Sequence, residues 1–443
     1  MTIQVVPEAA SPSSSPTINR DRTAYLADLV QRSRRPASQP EWLQTRRDRA
    51  LALLSEQALP STKQEDWRFT NLNPLLDVEF TPAAPTPVTA ADLTAVALPE
   101  ATTKLVMVNG RYVAELSTLG ELPAGTQIGH GSELVAAAGA DTHFGQVAPL
   151  TEVFTALNTV GFVDPLLIHV PRNQVLTAPI QVIYVSTGMQ SSLVQPRLLA
   201  IAATNAEFTL VEDFISLGET VHLTNAVTEL VLGENAQINH SRIQRENAQS
   251  VHIGTTAVQQ GRDSRYISTA VNVGAQVCRH NVEVGQTGVQ TDTKLYGLTV
   301  LHGEQISDTH SAIAYGHPYG TADQLHKCIV DDRAHAVFNG KILVPHAAQQ
   351  TNASQLNRNL LLSAKAKVDT KPQLEIVADN VKCAHGATIS QLEADEVFYL
   401  QSRGINKAQA ERLLIYAFAQ EVIQQLPVPA LRDALTRWVT SHT

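Results

Sequence analysis

The chain has 443 residues and a formal net charge of −9 at pH 7. Because nucleic-acid binders carry an excess of Lys and Arg, this balance argues against binding to a phosphate backbone. Aromatic residues make up only 5% and charged residues 17% of the chain, which suits stacked strands better than one compact aromatic core. The length exceeds one ordinary globular core, so two or three domains or one elongated repeat architecture are expected.

Three cysteines without paired spacing favour a reducing compartment over a disulfide framework. No segment approaches ~20 consecutive apolar residues, so we expect no transmembrane helix. Residues 1–18 are rich in Pro and Ser and lack the basic and apolar regions of a secretory signal, so we expect a disordered tail. Together these features predict a cytoplasmic protein.

Helical periodicity dominates residues 19–100, which we predict to form an N-terminal helical domain. Apolar residues recur at helical spacing from Asp21 to Ser33 and again from Trp42 to Leu54. The segment from Glu65 to Thr70 is charged and aromatic together. We expect a structural role there, with Trp67 packed over the aliphatic stem of the neighbouring Arg.

Residues 101–388 carry a β pattern and are predicted to form the core of the protein. Two apolar runs flank Asn109-Gly110. Asn-Gly is the strongest short-range signal of a hairpin, because a type I′ turn needs positive φ at both central residues. Two further strands are predicted, at 166–170 and 180–186.

A short motif recurs between about residues 196 and 385 and consists of a small or turn-forming pair followed by a strand. Its intervals are uneven, so the chain is not a simple tandem repeat. The pattern is typical of a β-helix, in which each coil buries its inner face only by stacking on its neighbours. A β-sandwich is the competing fold, but the scarcity of Asn-Gly and Asp-Gly turns favours the β-helix. The pairs begin at Asn205, Asn235, Asp263, Gly274, Thr321, Asn352 and Ala364.

Residues 389–443 return to helical spacing and are predicted to form a C-terminal helical domain. Asn406 has the side chain of an N-cap, with Gln409 three residues on. A second amphipathic helix follows Pro429. Both helices must pack against the β-body as a simple cap or against a second protein. The first helix carries an apolar stripe of candidate partner-binding residues, which are Leu413, Leu414, Ala417, Phe418 and Val422.

Every cysteine of this chain has a histidine two positions away. Residues two apart on a strand share a face, so each pair would set a thiol beside an imidazole. Such a pair suits zinc, copper or iron–sulfur chemistry, although a tetrahedral site takes four ligands. Free cysteine is also commonly a small buried hydrophobe, which is our interpretation of the two pairs nearer the N-terminus. The pairs are Cys278 with His280, His326 with Cys328, and Cys383 with His385.

Motifs of common enzyme classes are absent from the sequence. It contains no GxxxxGK[ST] phosphate loop, no dinucleotide fingerprint and no GxSxG nucleophile elbow, so we expect neither ATP hydrolysis nor hydride transfer by this chain. Parallel β-helices include polysaccharide lyases and hydrolases, and a carbohydrate-active enzyme is therefore an alternative from another functional class. Gly316 to Gly320 and Asp331 to Arg333 look reactive, but such segments between strands are usually turns.

Five short motifs are shared, in order, with a known family. Glu65 to Thr70, Val108 to Arg111 and Ala156 to Thr159 precede the longest run, Lys382 to Thr388, and Phe398 to Gly404 follows it. Together, although not singly, they are specific. The chain resembles the SufD family of the Suf iron–sulfur cluster assembly system, and this resemblance implies a right-handed parallel β-helix.

The resemblance also implies a function as a non-catalytic scaffold. It implies a SufB partner paired along the β-helix, the ATPase SufC docked on the C-terminal helices, and a homodimer for the isolated subunit. Cys383 and His385 would offer a transient, shared site to iron or a nascent iron–sulfur cluster, and this chain would bind no nucleotide. A SufB-like scaffold is the closest alternative, but SufB-like chains carry a cysteine cluster in the N-terminal half, whereas the first cysteine here is Cys278.

Overall fold

The computed structural model describes residues 21–35, 40–137 and 139–442. The disordered tail expected over residues 1–18 lies outside the described residues. Helices precede, interrupt and follow a long β-body. The α-helices are α1 (Arg22–Ser33), α2 (Glu41–Ser55), α3 (Asn73–Leu76), α4 (Ser132–Ala137), α5 (Val153–Gly161), α6 (Ala394–Ser402), α7 (Lys407–Ile423) and α8 (Pro429–His442).

The two helices predicted before residue 60 are confirmed. Asp21 is the N-cap of α1, and its side chain accepts a hydrogen bond from the Thr23 N–H at 2.9 Å. Ala50 and Leu54 of α2 are buried in the same apolar cluster as α5. Helices α4 and α5 interrupt the range predicted as the β-helix core. All nine residues of α5 are buried, so the rest of the protein covers this helix on every side.

The strands before residue 206 have two to eight residues, and the strands after it have eight to eleven. They are β1 (Thr81–Pro82), β2 (Thr103–Val108), β3 (Arg111–Tyr112), β4 (Gln127–His130), β5 (Pro165–Val170), β6 (Ile180–Thr187), β7 (Ser192–Val194), β8 (Arg197–Ala202), β9 (Glu207–Leu217), β10 (His222–Leu232), β11 (Gln237–Arg245), β12 (Val251–Gln260), β13 (Arg265–Asn272), β14 (Val277–Gln286), β15 (Asp292–Leu301), β16 (Ile306–Tyr315), β17 (Thr321–Val330), β18 (His335–Val344), β19 (Asn352–Leu361), β20 (Lys367–Ile376) and β21 (Lys382–Ser390).

The strands form two sheets. Sheet A runs in the order β4-β5-β8-β10-β12-β14-β16-β18-β20, and sheet B in the order β3-β2-β6-β9-β11-β13-β15-β17-β19-β21. From β8 onward successive strands enter alternate sheets and pair in parallel with the strand of the next coil. This is a parallel β-solenoid, so the predicted β-helix is confirmed and the β-sandwich was the wrong alternative.

The predicted hairpin at Asn109-Gly110 is also confirmed. Strands β2 and β3 pair antiparallel, and Asn109 and Gly110 have φ values of 53° and 74°. Both turn residues therefore lie in the left-handed region that a type I′ turn requires.

One corner of the solenoid explains three of the recurring turn pairs. Asn205, Asn235 and Asp263 have φ values of 58°, 54° and 57°, in the left-handed region that Asn and Asp tolerate. The N–H of Asn205 and that of Asn235 each donate to a carbonyl of the next coil, at 2.9 and 2.8 Å. The pairs at Thr321 and Asn352 instead begin β17 and β19. The turn motif is therefore real, but it occupies more than one position in the coil.

An apolar column fills the space between the two sheets. Successive coils of sheet A place side chains in register on the inner face, so each buries against the coil before and after it. Burial of one such side chain contributes about 1.5–3 kcal/mol. The column consists of Ile168, Ala200, Leu230, Val258, Val284, Ile313, Ile342 and Leu374.

Polar side chains share the interior with this column. Glu212 is fully buried and accepts hydrogen bonds from the Tyr184 hydroxyl and the His240 Nε2, both at 2.8 Å. Burial alone would raise the pKa of Glu212, but the hydrogen bonds and the charge of His240 outweigh it and lower this pKa. A buried charge with partners of this kind is tolerated because its lone pairs are satisfied.

The burial of His326 should make the stability of the fold depend on pH. It is fully buried against the Phe338 ring, with ring centroids 4.9 Å apart, and burial lowers its pKa to about 4. Because the folded-state pKa lies below the ordinary 6.5, this histidine stabilises the fold fully above pH 6.5 and loses its contribution as the pH falls toward 4. We expect the free energy of unfolding, measured with urea, to fall by about 2 kcal/mol less between pH 7.5 and pH 5 in His326→Gln than in the parent. An equal pH dependence in the two proteins would contradict this expectation.

Candidate metal-ligand site at the open end of the solenoid

The last coil of the solenoid carries the thiol–imidazole pair singled out in the sequence. Cys383 and His385 lie two residues apart on β21, opposite Ala353 and Gln355 of β19. Cys383 packs against the inner apolar cluster. Because side chains alternate along a strand, His385 projects on the same inner face. The two side chains therefore stand next to each other at the end of the interior.

Their exposure differs from that of the other two pairs. Cys383 is partly exposed and His385 is exposed, because no further coil covers them among the described residues. Burial raises the pKa of the Cys383 thiol, and a hydrogen bond from the backbone of Ala353 opposes part of this rise. At neutral pH the thiol form of Cys383 is therefore favoured until a metal or a donor stabilises the thiolate.

The end of the solenoid is an open surface. Strand β20 is the last strand of sheet A and β21 the last strand of sheet B, and neither has a partner on its outer side within the described part of the chain. Ile376, Val377 and Ile389 are 40%, 66% and 50% exposed. We use the term open end for the unpaired edges of β20 and β21 together with these three side chains. It combines unpaired strand edges with exposed apolar groups, which is the composition of an interaction surface.

The C-terminal helices pack on the side of the solenoid and not over its end. Helix α7 contacts β15 and β17 of sheet B, and Ile415, Ala419 and Ile423 are buried against the outer face of that sheet. Lys327 of β17 donates a hydrogen bond to the carbonyl of Phe418 at 3.0 Å. The simple cap considered from the sequence is therefore wrong in its position, since the helices line one flank.

The apolar stripe predicted on α7 is divided between two faces. Leu413 is 44% exposed and Ala417 is exposed, whereas Leu414 and Phe418 are partly buried. Val422 is fully buried against sheet B, so its assignment as a partner-binding residue is corrected. The physical reason is that sheet B uses one side of α7 for its own packing. Leu413, Leu414, Ala417 and part of Phe418 stay accessible.

Exposed aromatic residues on α6 were not predicted as partner-binding residues. Phe398 is 70% and Tyr399 57% exposed, on a helix that packs against α7. Exposed large apolar side chains in neighbouring positions indicate an interaction surface. Only the burial pattern shows this, because both residues could equally have faced the β-body.

Comparison with known proteins decides the family. Residues 184–418 match the family described as the SUF system FeS cluster assembly SufBD core domain, and residues 22–182 match the SufBD protein N-terminal region. The first of these matches covers the solenoid from within β6 onward and most of α7. The chain belongs to the SufBD family.

Relatives within this family share almost the full length of the chain. An iron–sulfur cluster assembly SufBD family protein of Synechocystis is 44% identical over 90% of this chain and 91% of its own. Protein ABCI7 of Arabidopsis thaliana, named as chloroplastic, is 37% identical over 88% of this chain and 84% of its own. SufD of Escherichia coli is 32% identical over 96% of this chain and 95% of its own. The chain is a SufD-type subunit with a role in iron–sulfur cluster assembly.

The family motif from Glu65 to Thr70 has the structural role that the sequence indicated, but with another arginine. Trp67 is buried, and the guanidinium of Arg279 lies 3.9 Å from its ring centroid. Arg68, the neighbour in sequence, instead lies over the ring of Phe69. The partner of Trp67 comes from β14, more than two hundred residues away, which sequence adjacency could not indicate.

The two remaining cysteine–histidine pairs are interior packing. Cys278 and Cys328 are 0% and 1% exposed, and burial raises the pKa of each thiol to about 12. A thiol held in this way is inert toward metals and oxidants. Their histidines, His280 and His326, are buried as well.

Tyr319 and Asp332 have φ values of 64° and 50°, so the two segments that looked reactive in sequence contain tight turns. None of the helices described here is both long enough and apolar enough to span a membrane. In the described part of the chain, no three His, Cys, Asp or Glu side chains are grouped to hold a metal ion.

Proposed function

We propose that this chain is a non-catalytic scaffold subunit that contributes Cys383 and His385 to iron–sulfur cluster assembly at an interface with a partner. The observation that carries this proposal is the position of the pair. It lies on the inner face of the last coil, partly covered by its own chain and open toward whatever pairs with β20 and β21. A thiolate and an imidazole are suitable ligands for iron, either as a single ion or within an iron–sulfur cluster.

The partner at the open end is a SufB-type solenoid. Unpaired N–H and C=O groups of β20 and β21 favour strand addition by a similar coil, and the exposed Ile376, Val377 and Ile389 would be buried with it. A tetrahedral iron bound by two ligands from this chain needs two more ligands, and the partner supplies them. A second copy of this chain is the occupant proposed for the isolated subunit. Iron or the nascent cluster is the cargo of this shared site.

The ATPase SufC docks on the flank formed by α6 and α7. Leu413 and Ala417 of α7 are exposed and Leu414 is partly exposed, and the neighbouring helix α6 carries the exposed Phe398 and Tyr399. An apolar helical surface of this kind fits the groove of a globular partner. The docked ATPase provides the nucleotide, so this chain needs no phosphate-binding loop. We propose the cytoplasm as the compartment in which the complex assembles.

A strand-breaking substitution tests pairing at the open end. The N–H of Lys382 donates to the carbonyl of Thr351 in the preceding coil, and successive N–H groups of a strand alternate in direction. The N–H of Ala387 therefore points to the open side. We expect Ala387→Pro to remove a donor needed for strand addition while β19 and β21 stay paired, and to abolish anaerobic co-purification of the SufB-type partner.

The matched control for this test is Ala387→Val, which keeps the N–H and favours a strand. It should co-purify like the parent. If the proline variant is folded by circular dichroism and still retains the partner, the open end is not the pairing surface.

The scaffold class predicts an absence of turnover by the isolated chain. Purified protein should release no phosphate from ATP and shorten no polygalacturonate above the level of a heat-denatured sample. Coupled phosphate release and reducing-end assays measure the two activities. Glycan cleavage that copurifies with the chain through two columns would favour the carbohydrate-enzyme alternative.

A further inference from the structure

A buried amide beneath the thiol–imidazole pair has an unused acceptor. Gln355 of β19 is 2% exposed, and its Oε1 has no hydrogen-bond partner among the described residues. A buried polar atom without a partner destabilises the fold. Such an atom in a native structure calls for an explanation, and a role in catalysis or ion binding is one.

The orientation of this amide is set by a chain of hydrogen bonds through the interior. Gln355 Nε2 donates to Gln324 Oε1 at 2.8 Å, and Gln324 Nε2 donates to Ser311 Oγ at 2.7 Å. All three residues are buried. The Nε2 of Gln355 therefore donates to the previous coil, and its Oε1 is the unpaired end of this series of hydrogen bonds.

His385 is the side chain in position to use that unpaired end. Gln355 and His385 are register partners on adjacent strands, and Cys383, on the same face as His385, packs against the interior that contains Gln355. Neighbouring strands lie about 4.8 Å apart. A rotation of the exposed imidazole about its own side-chain bonds brings a ring N–H within reach of the Gln355 amide.

We propose that Gln355 is the positioning residue for His385, its Oε1 accepting the N–H of one ring nitrogen so that the other ring nitrogen is left free for iron. The identity of the metal rests on the proposed function, whereas the hydrogen bond does not. A neutral imidazole has one protonated and one unprotonated nitrogen, and only the latter has a lone pair for a metal. Histidine ligands commonly donate their second ring N–H to an acceptor of this type.

The state of His385 in the isolated chain tests the hydrogen bond without any metal. The chain is labelled with ¹⁵N-histidine, and the His385 ring signals are assigned by their loss in His385→Ala. The ¹⁵N shifts then report which ring nitrogen carries the proton. In the parent, one tautomer should predominate. In Gln355→Met, which keeps the unbranched shape and removes the amide, the signals should move to the tautomer mixture of a free imidazole.

Two further variants separate positioning from packing. Gln355→Glu keeps an acceptor and should retain the tautomer preference of the parent. Gln373→Leu removes an amide from the outer face of β20 and should change nothing. Unaltered His385 signals in a folded Gln355→Met protein would overturn the proposal, and so would an equal loss of the preference in Gln355→Met and Gln373→Leu.

Iron loading of the assembled complex connects the hydrogen bond to the shared site. At limiting iron we expect Gln355→Met to load about tenfold less iron than the parent, the lower end of the range for lost partners of metal ligands, and Gln355→Glu to load more than Gln355→Met. Normal loading by His385→Ala would reject the proposed function and leave the tautomer result standing. Impaired loading by His385→Ala with normal loading by Gln355→Met would reject only the role of Gln355.

Discussion

His385→Ala is expected to lower iron and sulfide loading of the reconstituted complex by at least about tenfold without dissociating it. A neutral imidazole ligates iron at pH 7, and even partners outside the first coordination shell typically contribute ten- to hundredfold to metal affinity. His385 is exposed at the open end, so its removal costs the fold little. Anaerobic reconstitution followed by visible absorption and iron counting measures loading, and gel filtration checks assembly.

Two cysteine variants provide the comparison for this result. Cys383→Ser should have a similar or milder effect, because burial raises the pKa of its thiol and less thiolate is present to bind iron. Cys278→Ser is the matched control, since it removes a thiol that is 0% exposed and should load like the parent. Should His385→Ala assemble and load like the parent, the pair is structural.

The double variant Leu413→Asp with Ala417→Asp is expected to release the ATPase while the solenoid stays folded. Both residues face away from sheet B, so two carboxylates there would be solvated in the free subunit. In the docked complex they would be buried without partners, at a cost of several kcal/mol, which is enough to abolish a pull-down. Circular dichroism and a pull-down with SufC decide the outcome.

Two comparisons make this test specific. Thr440→Asp adds a carboxylate on the exposed side of α8 and should leave the ATPase bound. Val422→Asp places a carboxylate in the packed contact with sheet B and should destabilise the C-terminal helices. A folded double variant that retains SufC would move the docking surface elsewhere, and α6 with Phe398 and Tyr399 would be the next region to test.

The β-solenoid was predictable because its pattern is local. Asn205, Asn235 and Asp263 mark left-handed corners, and the strands between such turns carry alternating inner and outer residues. Cys383 and His385 share a face for the same local reason, since they are two residues apart on one strand. The alternation of side chains along strands and the residue types of the turns were therefore enough to predict both the architecture and the pairing of Cys383 with His385.

Features that depend on contacts between distant segments were not predictable. An apolar stripe on α7 does not state which side the β-body will use, and so Val422 was assigned to a partner that it cannot reach. Trp67 packs on Arg279 and not on Arg68, because the sheet brings β14 to it. Gln355 resembles many glutamines in sequence, and only its register position opposite His385, together with its buried and unpartnered Oε1, distinguishes it.

One spectroscopic measurement tests the shared site most directly. This chain alone is labelled with ¹⁵N-histidine, the complex is reconstituted anaerobically with unlabelled partners, and the reduced cluster is studied by pulsed electron paramagnetic resonance. A cluster ligated by His385 should show hyperfine coupling to ¹⁵N, and coupling to ¹⁴N should replace it when this chain is unlabelled. A fully loaded, reduced cluster without any ¹⁵N coupling from this chain would contradict a shared site at the open end of the solenoid.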